Sequence, residues 1–133
     1  MKIIRCGEVP SKAAPAEHFT GTVWTDPIID AEAPARVHAV SVTFMPGGRT
    51  NWHWHPLGQT LRVLAGLGWF QTEGQERVEI RPGDTIWIPP HEKHWHGATD
   101  TTMMTHIAIQ EKGEEGQSVW LEPVSDADYL GRP

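Results

Sequence analysis

The sequence predicts an all-β fold, a single-domain antiparallel barrel with little helix. Three observations carry that prediction. Thirteen Gly and eleven Pro are spread through the 133 residues rather than gathered into linkers. Between them lie short runs that alternate apolar and polar residues, the period of a half-buried strand. No stretch shows the 3.6-residue period of a long amphipathic helix.

The elements follow in order. Residues 1–20 carry Pro10, Pro15 and little periodicity, and read as an irregular arm on the surface or on a partner subunit. The barrel core is expected over about 21–124. Runs at 21–24 and 28–29 flank Asp26-Pro27. Residues 37–45 alternate, with Val40, Val42 and Phe44 on one face and Ala39, Ser41 and Thr43 on the other. Pro46-Gly47-Gly48 ends that run. Residues 52–55 are extended, and Pro56-Leu57-Gly58 turns the chain into a strand at 59–64. Further strands are expected at 67–72, 77–80 and 85–88, separated by Gly- and Pro-bearing turns. Residues 95–98 and 103–110 form another pair around Thr99-Asp100, and 119–124 is the last strand. The tail after Ser125 fits one helical turn capped by that serine.

Composition narrows the function. A hydrophobic fraction of 38% and a charged fraction of 21% belong to an ordinary globular domain. Eleven basic against seventeen acidic residues give −6, which argues against a nucleic-acid partner. No apolar run is long enough to span a membrane. The N-terminus lacks the apolar stretch of a secretory signal, and Cys6 has no partner for a disulfide. A cytoplasmic protein is expected. The eight His and seven Trp are unusual for this length.

The histidines have a pattern. His53 and His55 are two apart in an extended run, so both imidazoles share one face and Trp52 and Trp54 take the other. Gln59 follows across a turn, and His94 comes after Pro89-Pro90. Converging inside a barrel, these four could hold a divalent metal and leave about two positions open in an octahedral shell. An open shell suggests catalysis rather than a structural ion. His94 and His96 share strand parity. Met104, His106, Ala108 and Gln110 share another face, opposite Thr105, Ile107 and Ile109. If the His/Gln face lines a pocket, the Ile face packs on the second sheet or on a partner subunit. A neutral His106 there is suited to proton transfer. His96 and Gln110 could hydrogen-bond the same substrate, and Val40, Val42, Phe44 and Trp residues could wall it. His18, His38 and His91 lack partners at useful spacing and fit surface or packing roles. Trp52, Trp54 and Trp95 fit core or subunit contacts.

The spacing resembles a known family. Gly47, His53, His55, Gln59 and Gly66 are similar to the first motif of the cupins, and Gly83, Pro89 and His94 to the second. The family pattern has Glu where this chain has Gln59, Gly where it has His91, and Asn where it has Ala98. The resemblance implies a double-stranded jelly roll with a metal inside. Gln in place of Glu leaves the metal its full charge, favouring Lewis acidity and anionic ligands. The stretches His53-Trp-His-Pro-Leu-Gly-Gln-Thr60, Glu92-Lys-His-Trp-His-Gly-Ala98 and Met104-Thr-His-Ile-Ala-Ile-Gln-Glu111 look like the bacterial cupin hydroxynitrile lyases.

That resemblance implies manganese held by His53, His55, Gln59 and His94, with iron, zinc, nickel and cobalt as alternatives. It implies His106 as the catalytic base, with Gln110 and His96 beside it. The reaction implied is reversible cleavage of a cyanohydrin such as (R)-mandelonitrile to an aldehyde and HCN. An iron-dependent dioxygenase and a non-catalytic small-molecule-binding cupin are the other readings. A homo-oligomer, dimer or tetramer, is expected from the seven Trp and the apolar strands.

Overall fold

The computed structural model describes residues 1–132. Among the described residues thirteen strands follow one another: β1 (Lys12–Ala13), β2 (Phe19–Thr20), β3 (Val23–Asp30), β4 (Val37–Phe44), β5 (Arg49–Thr50), β6 (His53–Trp54), β7 (Gln59–Gly66), β8 (Gly68–Thr72), β9 (Val78–Ile80), β10 (Thr85–Ile88), β11 (His94–Ala98), β12 (Met104–Glu111) and β13 (Val119–Trp120). One helix, α1 (Asp126–Tyr129), follows them within the described residues. Six strands form one antiparallel sheet in the order β1-β3-β4-β12-β7-β10. The other sheet runs β13-β6-β11-β5-β2, with β8 pairing both β11 and β9. The fold is all-β, as the punctuation and alternation predict.

The barrel core lies between the sheets. Val23, Val42, Phe44, Leu61, Val63, Phe70, Ile80, Ile88, Ala98, Met104 and Ala108 are buried there together. Most sit at alternate positions, because one face of each strand points inward. A second cluster covers the outside of β11. Trp52, Trp95, Val124 and Tyr129 are buried in it, with Trp69, Leu121 and Leu130 against them. The parity of 94–98 explains the division: His94 and His96 face the barrel, while Trp95 faces the second cluster. The tail supplies the lid of that cluster. Ser125 caps α1 by accepting from Asp128 N at 3.1 Å. Tyr129 Oη donates to Ala98 O at 2.6 Å. Arg49, only 6% exposed, donates to Val124 O and Asp126 Oδ1, both at 2.9 Å, and lies 4.2 Å over the Tyr129 ring.

Several boundaries differ from expectation. The segment 1–20 is not wholly irregular: β1 joins β3 and β2 joins β5. Asp26-Pro27 does not divide two runs; β3 passes through it with a register shift between Pro27 and Ile29. Only Trp24 and Thr25 of β3 pair with β1. Pro27 therefore stands on an open edge, where its missing N–H costs no ladder bond. The last strand stops at Trp120, although Leu121 N still donates to Trp52 O and Trp52 N to Glu122 O, both at 2.9 Å. Ile107 and Ile109 do not pack on the second sheet; they lie on the outer face, where Ile109 is 38% exposed.

Gly66 is the one residue that fits the turn from β7 to β8. It has φ +79°, and a Cβ there would sit 1.9 Å from Met103 O. No neighbouring backbone can yield that distance, so the turn requires glycine.

Tyr129→Ala is expected to destabilise the fold by about 3–5 kcal/mol, as for other large buried side chains. Tyr129→Phe should cost about 1 kcal/mol, the net worth of one hydrogen bond. Urea midpoints check both. A neutral Tyr129→Ala would mean that the tail is a decoration rather than part of the packed structure.

Candidate metal centre

The site is built on two strand pairs. In the second sheet His94 lies opposite His53, and His53 opposite Trp120. In the first sheet β12 runs between β4 and β7. His106 therefore lies between Val42 and Val63, and Gln110 between His38 and Gln59. The β7–β12 register slips between Thr105 and His106, a bulge beside the site.

A cavity of about 90 Å³ lies where these faces meet. Its polar lining is Thr25, Thr50, His53, His55, Gln59, His96, His106, Gln110 and Ser118. Phe19, Val40, Val42, Phe44, Ala108 and Trp120 form the apolar wall. An outer groove of about 630 Å³ shares Thr25, Val40, Gln110, Ser118 and Trp120 with it and adds His38 and Lys112.

The ring contacts are close. His53 and His94 centroids are 4.2 Å apart, His53 and His55 5.0 Å, and His55 and His94 5.4 Å. His53, His94 and His96 each bring one ring nitrogen within 4.8 Å of the others and can hold a metal. His55 lies outside that trio, and His96, expected on the substrate side, belongs to it.

Hydrogen bonds distinguish the rings. Nδ1 of His53 pairs with Asn51 O at 2.9 Å, Nδ1 of His55 with Gln117 O at 2.8 Å, and Nδ1 of His94 with Glu92 O at 2.8 Å. A carbonyl only accepts, so each of these rings keeps its proton on Nδ1 and its lone pair on Nε2. His96 differs, because its Nδ1 meets His106 Nε2 at 2.9 Å. Gln59 Nε2 donates to Gln110 Oε1 at 2.7 Å, which leaves its own Oε1 inward.

Nε2 of His55, His94 and His96 and Oε1 of Gln59 are buried with no hydrogen-bond partner. An orphaned buried polar atom costs roughly 1–3 kcal/mol. A cation satisfies several at once, so these residues fit a divalent metal. Imidazole and carbonyl donors suit a first-row divalent ion, and they do not select one.

A scan of family descriptions matches the cupin domain over residues 40–109. An (R)-mandelonitrile lyase of Granulicella tundricola is 55% identical over 97% of this chain and 98% of its own. The chain belongs to the cupin family. A solved cupin-like protein of Thermotoga maritima is 33% identical, with a TM-score of 0.86 over 98% of this chain and 96% of that one. A polyketide cyclase of Streptomyces resistomycificus shares the fold at 20% identity, with a TM-score of 0.75 over 97% and 90% of the two chains.

Within this cupin the other histidines pack as expected. His18 stacks on Trp120 at 4.6 Å, and His91, at φ +66°, lies 4.9 Å from the Trp54 ring. His38 is half-buried in the outer groove. Sequence reasoning missed Phe19, Thr25, Thr50, Gln117 and Ser118, and it expected tryptophan in the wall without singling out Trp120. Phe19 and Trp120 each belong to a two-residue strand, too short to show periodicity. Gln117 lies in a loop, where parity has no meaning.

Burial sets the charge state of the cavity. It pushes His94 down to about 3 and His106 down to about 4. His53 and His96 are also held well below the ordinary imidazole value, by burial first and then by neighbouring histidines. Burial lowers His55 as well, against the Gln117 carbonyl and Gln59. All five are neutral at pH 7.

The linkage sign follows. The unfolded chain takes up protons at these rings below about pH 6.5. The folded chain does not until about 4 for His106 and about 3 for His94. The stability of metal-free protein is therefore full above pH 6.5 and falls as pH drops through 6.5 toward 4. The loss is on the order of 1 kcal/mol per pH unit for each ring. Melting temperatures of chelator-treated protein at pH 7, 6 and 5 check this; a flat profile would contradict the burial of the rings.

Proposed function

We propose that this cupin is a metal-dependent hydroxynitrile lyase that cleaves a cyanohydrin such as (R)-mandelonitrile, reversibly, to an aldehyde and HCN. One observation carries the reading. A neutral imidazole pair, His96 and His106, lines the same apolar-walled cavity as His53, His55 and Gln59. The 55% identical relative named (R)-mandelonitrile lyase supports it.

In this reading His53, His55, Gln59 and His94 hold the metal, most simply manganese. The three imidazoles in the set are those whose Nδ1 protons are fixed by carbonyls. In this reading His96 Nδ1 accepts from His106 Nε2–H, which puts the His96 proton on its own Nε2 and keeps that ring out of the set. A bound divalent ion would supply Lewis acidity toward the substrate oxygen.

The chain's own residues do the rest. His106 accepts the hydroxyl proton of the cyanohydrin, and the C–C electron pair leaves with cyanide as the carbonyl forms. The proton then passes from the imidazolium to cyanide, giving HCN and restoring neutral His106. A ring with a pKa near 4 is unprotonated at mildly acidic pH, so the base is ready there. It is also a strong enough acid, once charged, to give the proton up. His96 stabilises the charged ring across the 2.9 Å contact, because one proton serves two nitrogens. Gln110 offers the substrate its second Nε2 hydrogen, its Oε1 being taken by Gln59 and its other hydrogen by Gln117 Oε1. Val40, Val42 and Phe44 exclude water and hold the apolar part of the substrate. The exposed apolar outer face, with Trp87, Leu64 and Ile109, supports the homo-oligomer that belongs to this reading.

Manganese-loaded protein is expected to release cyanide from racemic mandelonitrile at mildly acidic pH, and chelator-stripped protein is not. Equal release from both would sink the metal dependence. No release from either would remove the lyase reading for this substrate.

Substitutions separate the roles. His106→Ala should lose at least about 100-fold in kcat, the usual worth of a general base, while keeping its metal. His55→Ala should lose metal and activity together. Normal turnover in His106→Ala would end that assignment.

A further inference from the structure

Gln59 and Gln110 are Cα partners across the β7–β12 ladder, so their side chains meet on the cavity face. Gln59 Nε2 donates to Gln110 Oε1 at 2.7 Å. Gln110 Nε2 donates in turn to Gln117 Oε1 at 3.3 Å. The main-chain oxygen of Gln117 takes the Nδ1 proton of His55. One loop residue thus orders two neighbours of the centre.

The two ends of a carboxamide are almost identical in shape and opposite in chemistry. The oxygen accepts, and the NH2 only donates. The cavity end of Gln59 lies in a cluster of imidazole lone pairs. In metal-free protein those lone pairs favour NH2, which would hydrogen-bond them. A cation needs the oxygen there, so a freely turning Gln59 would present the wrong end. A carboxylate has no wrong end, because both of its atoms accept.

We propose that Gln110 is a positioning residue for the metal centre. Its Oε1 draws the Gln59 NH2 outward and holds the Gln59 oxygen toward the histidines, and Gln117 fixes Gln110 in the orientation that does so. The inference rests on the reading of Gln59 as a ligand. Lost partners of this kind typically weaken metal binding 10–100-fold.

The test compares Mn2+ affinity, by chelator competition, in five full-length proteins: the parent, Gln110→Met, Gln59→Glu, the double variant and Gln59→Leu. Gln110→Met should weaken binding about 10-fold or more in the parent. In the Gln59→Glu background it should weaken binding less than about 3-fold, because the coupling between the two positions is gone. The EPR spectrum of bound Mn2+ should broaden or shift with Gln110→Met in the parent and stay unchanged in the Gln59→Glu background. A general packing defect would act equally in both backgrounds. Equal losses, or no loss in the parent, overturn the proposal. If Gln59→Leu binds Mn2+ as the parent does, the ligand reading fails and the inference falls with it. If Gln59→Leu binds weakly and Gln110→Met binds normally, only the positioning role fails. Gln110→Leu is read in the same way should Gln110→Met not fold.

Discussion

An imidazole has two nitrogens, and in this barrel the main chain decides which of them keeps its proton. Asn51 O, Gln117 O and Glu92 O each take an Nδ1 proton, from His53, His55 and His94. Every such bond turns an Nε2 lone pair toward the interior. Two of them, Nε2 of His55 and of His94, are buried with no partner in the protein. Buried polar atoms are normally satisfied, so their concentration at one place marks a ligand. The carbonyls come from the segments that lead into β6, β13 and β11. The chemistry of the centre thus depends on backbone that the rest of the fold holds still.

The strand β12 ties the centre to the fold. It pairs with β4 on one side and β7 on the other, and one of its faces carries Met104, His106, Ala108 and Gln110. Met104 and Ala108 belong to the barrel core, while His106 and Gln110 line the cavity. The same alternation serves stability and chemistry, because both needs fall on the inward face. On the opposite wall β11 does the same, with His94 and His96 inward and Trp95 outward. Trp95 is anchored in the second cluster beneath the C-terminal helix.

Much of this was legible in the chain. Alternation at 37–45 and at 103–110, and the shared parity of His94 and His96, showed which residues share a face, since a side-chain period of two leaves no freedom once one face is buried. Val40, Val42 and Phe44 lie in the cavity wall for that reason. The pairing of His53 with His94 was legible only through its family resemblance, because forty residues separate them. Pro27 misled the strand reading: a proline breaks a ladder only where its N–H is needed, and at the open edge of β3 it is not. Residues 1–20 show no periodicity, yet β1 and β2 join both sheets, since a two-residue strand needs only a neighbour with free hydrogen bonds.

The sequence by itself determined the all-β class, the facing of the long strands and the set of side chains available to the cavity. Those properties are local, set by period and by turn residues. Tertiary structure alone decided which imidazole nitrogens carry protons, that His96 is engaged with His106, and that Gln59 answers to Gln110 and Gln117. These depend on which carbonyl or amide lies within 3 Å or so of each ring, in the range of a hydrogen bond. That neighbour comes from chain far away in the sequence, and only folding brings it there.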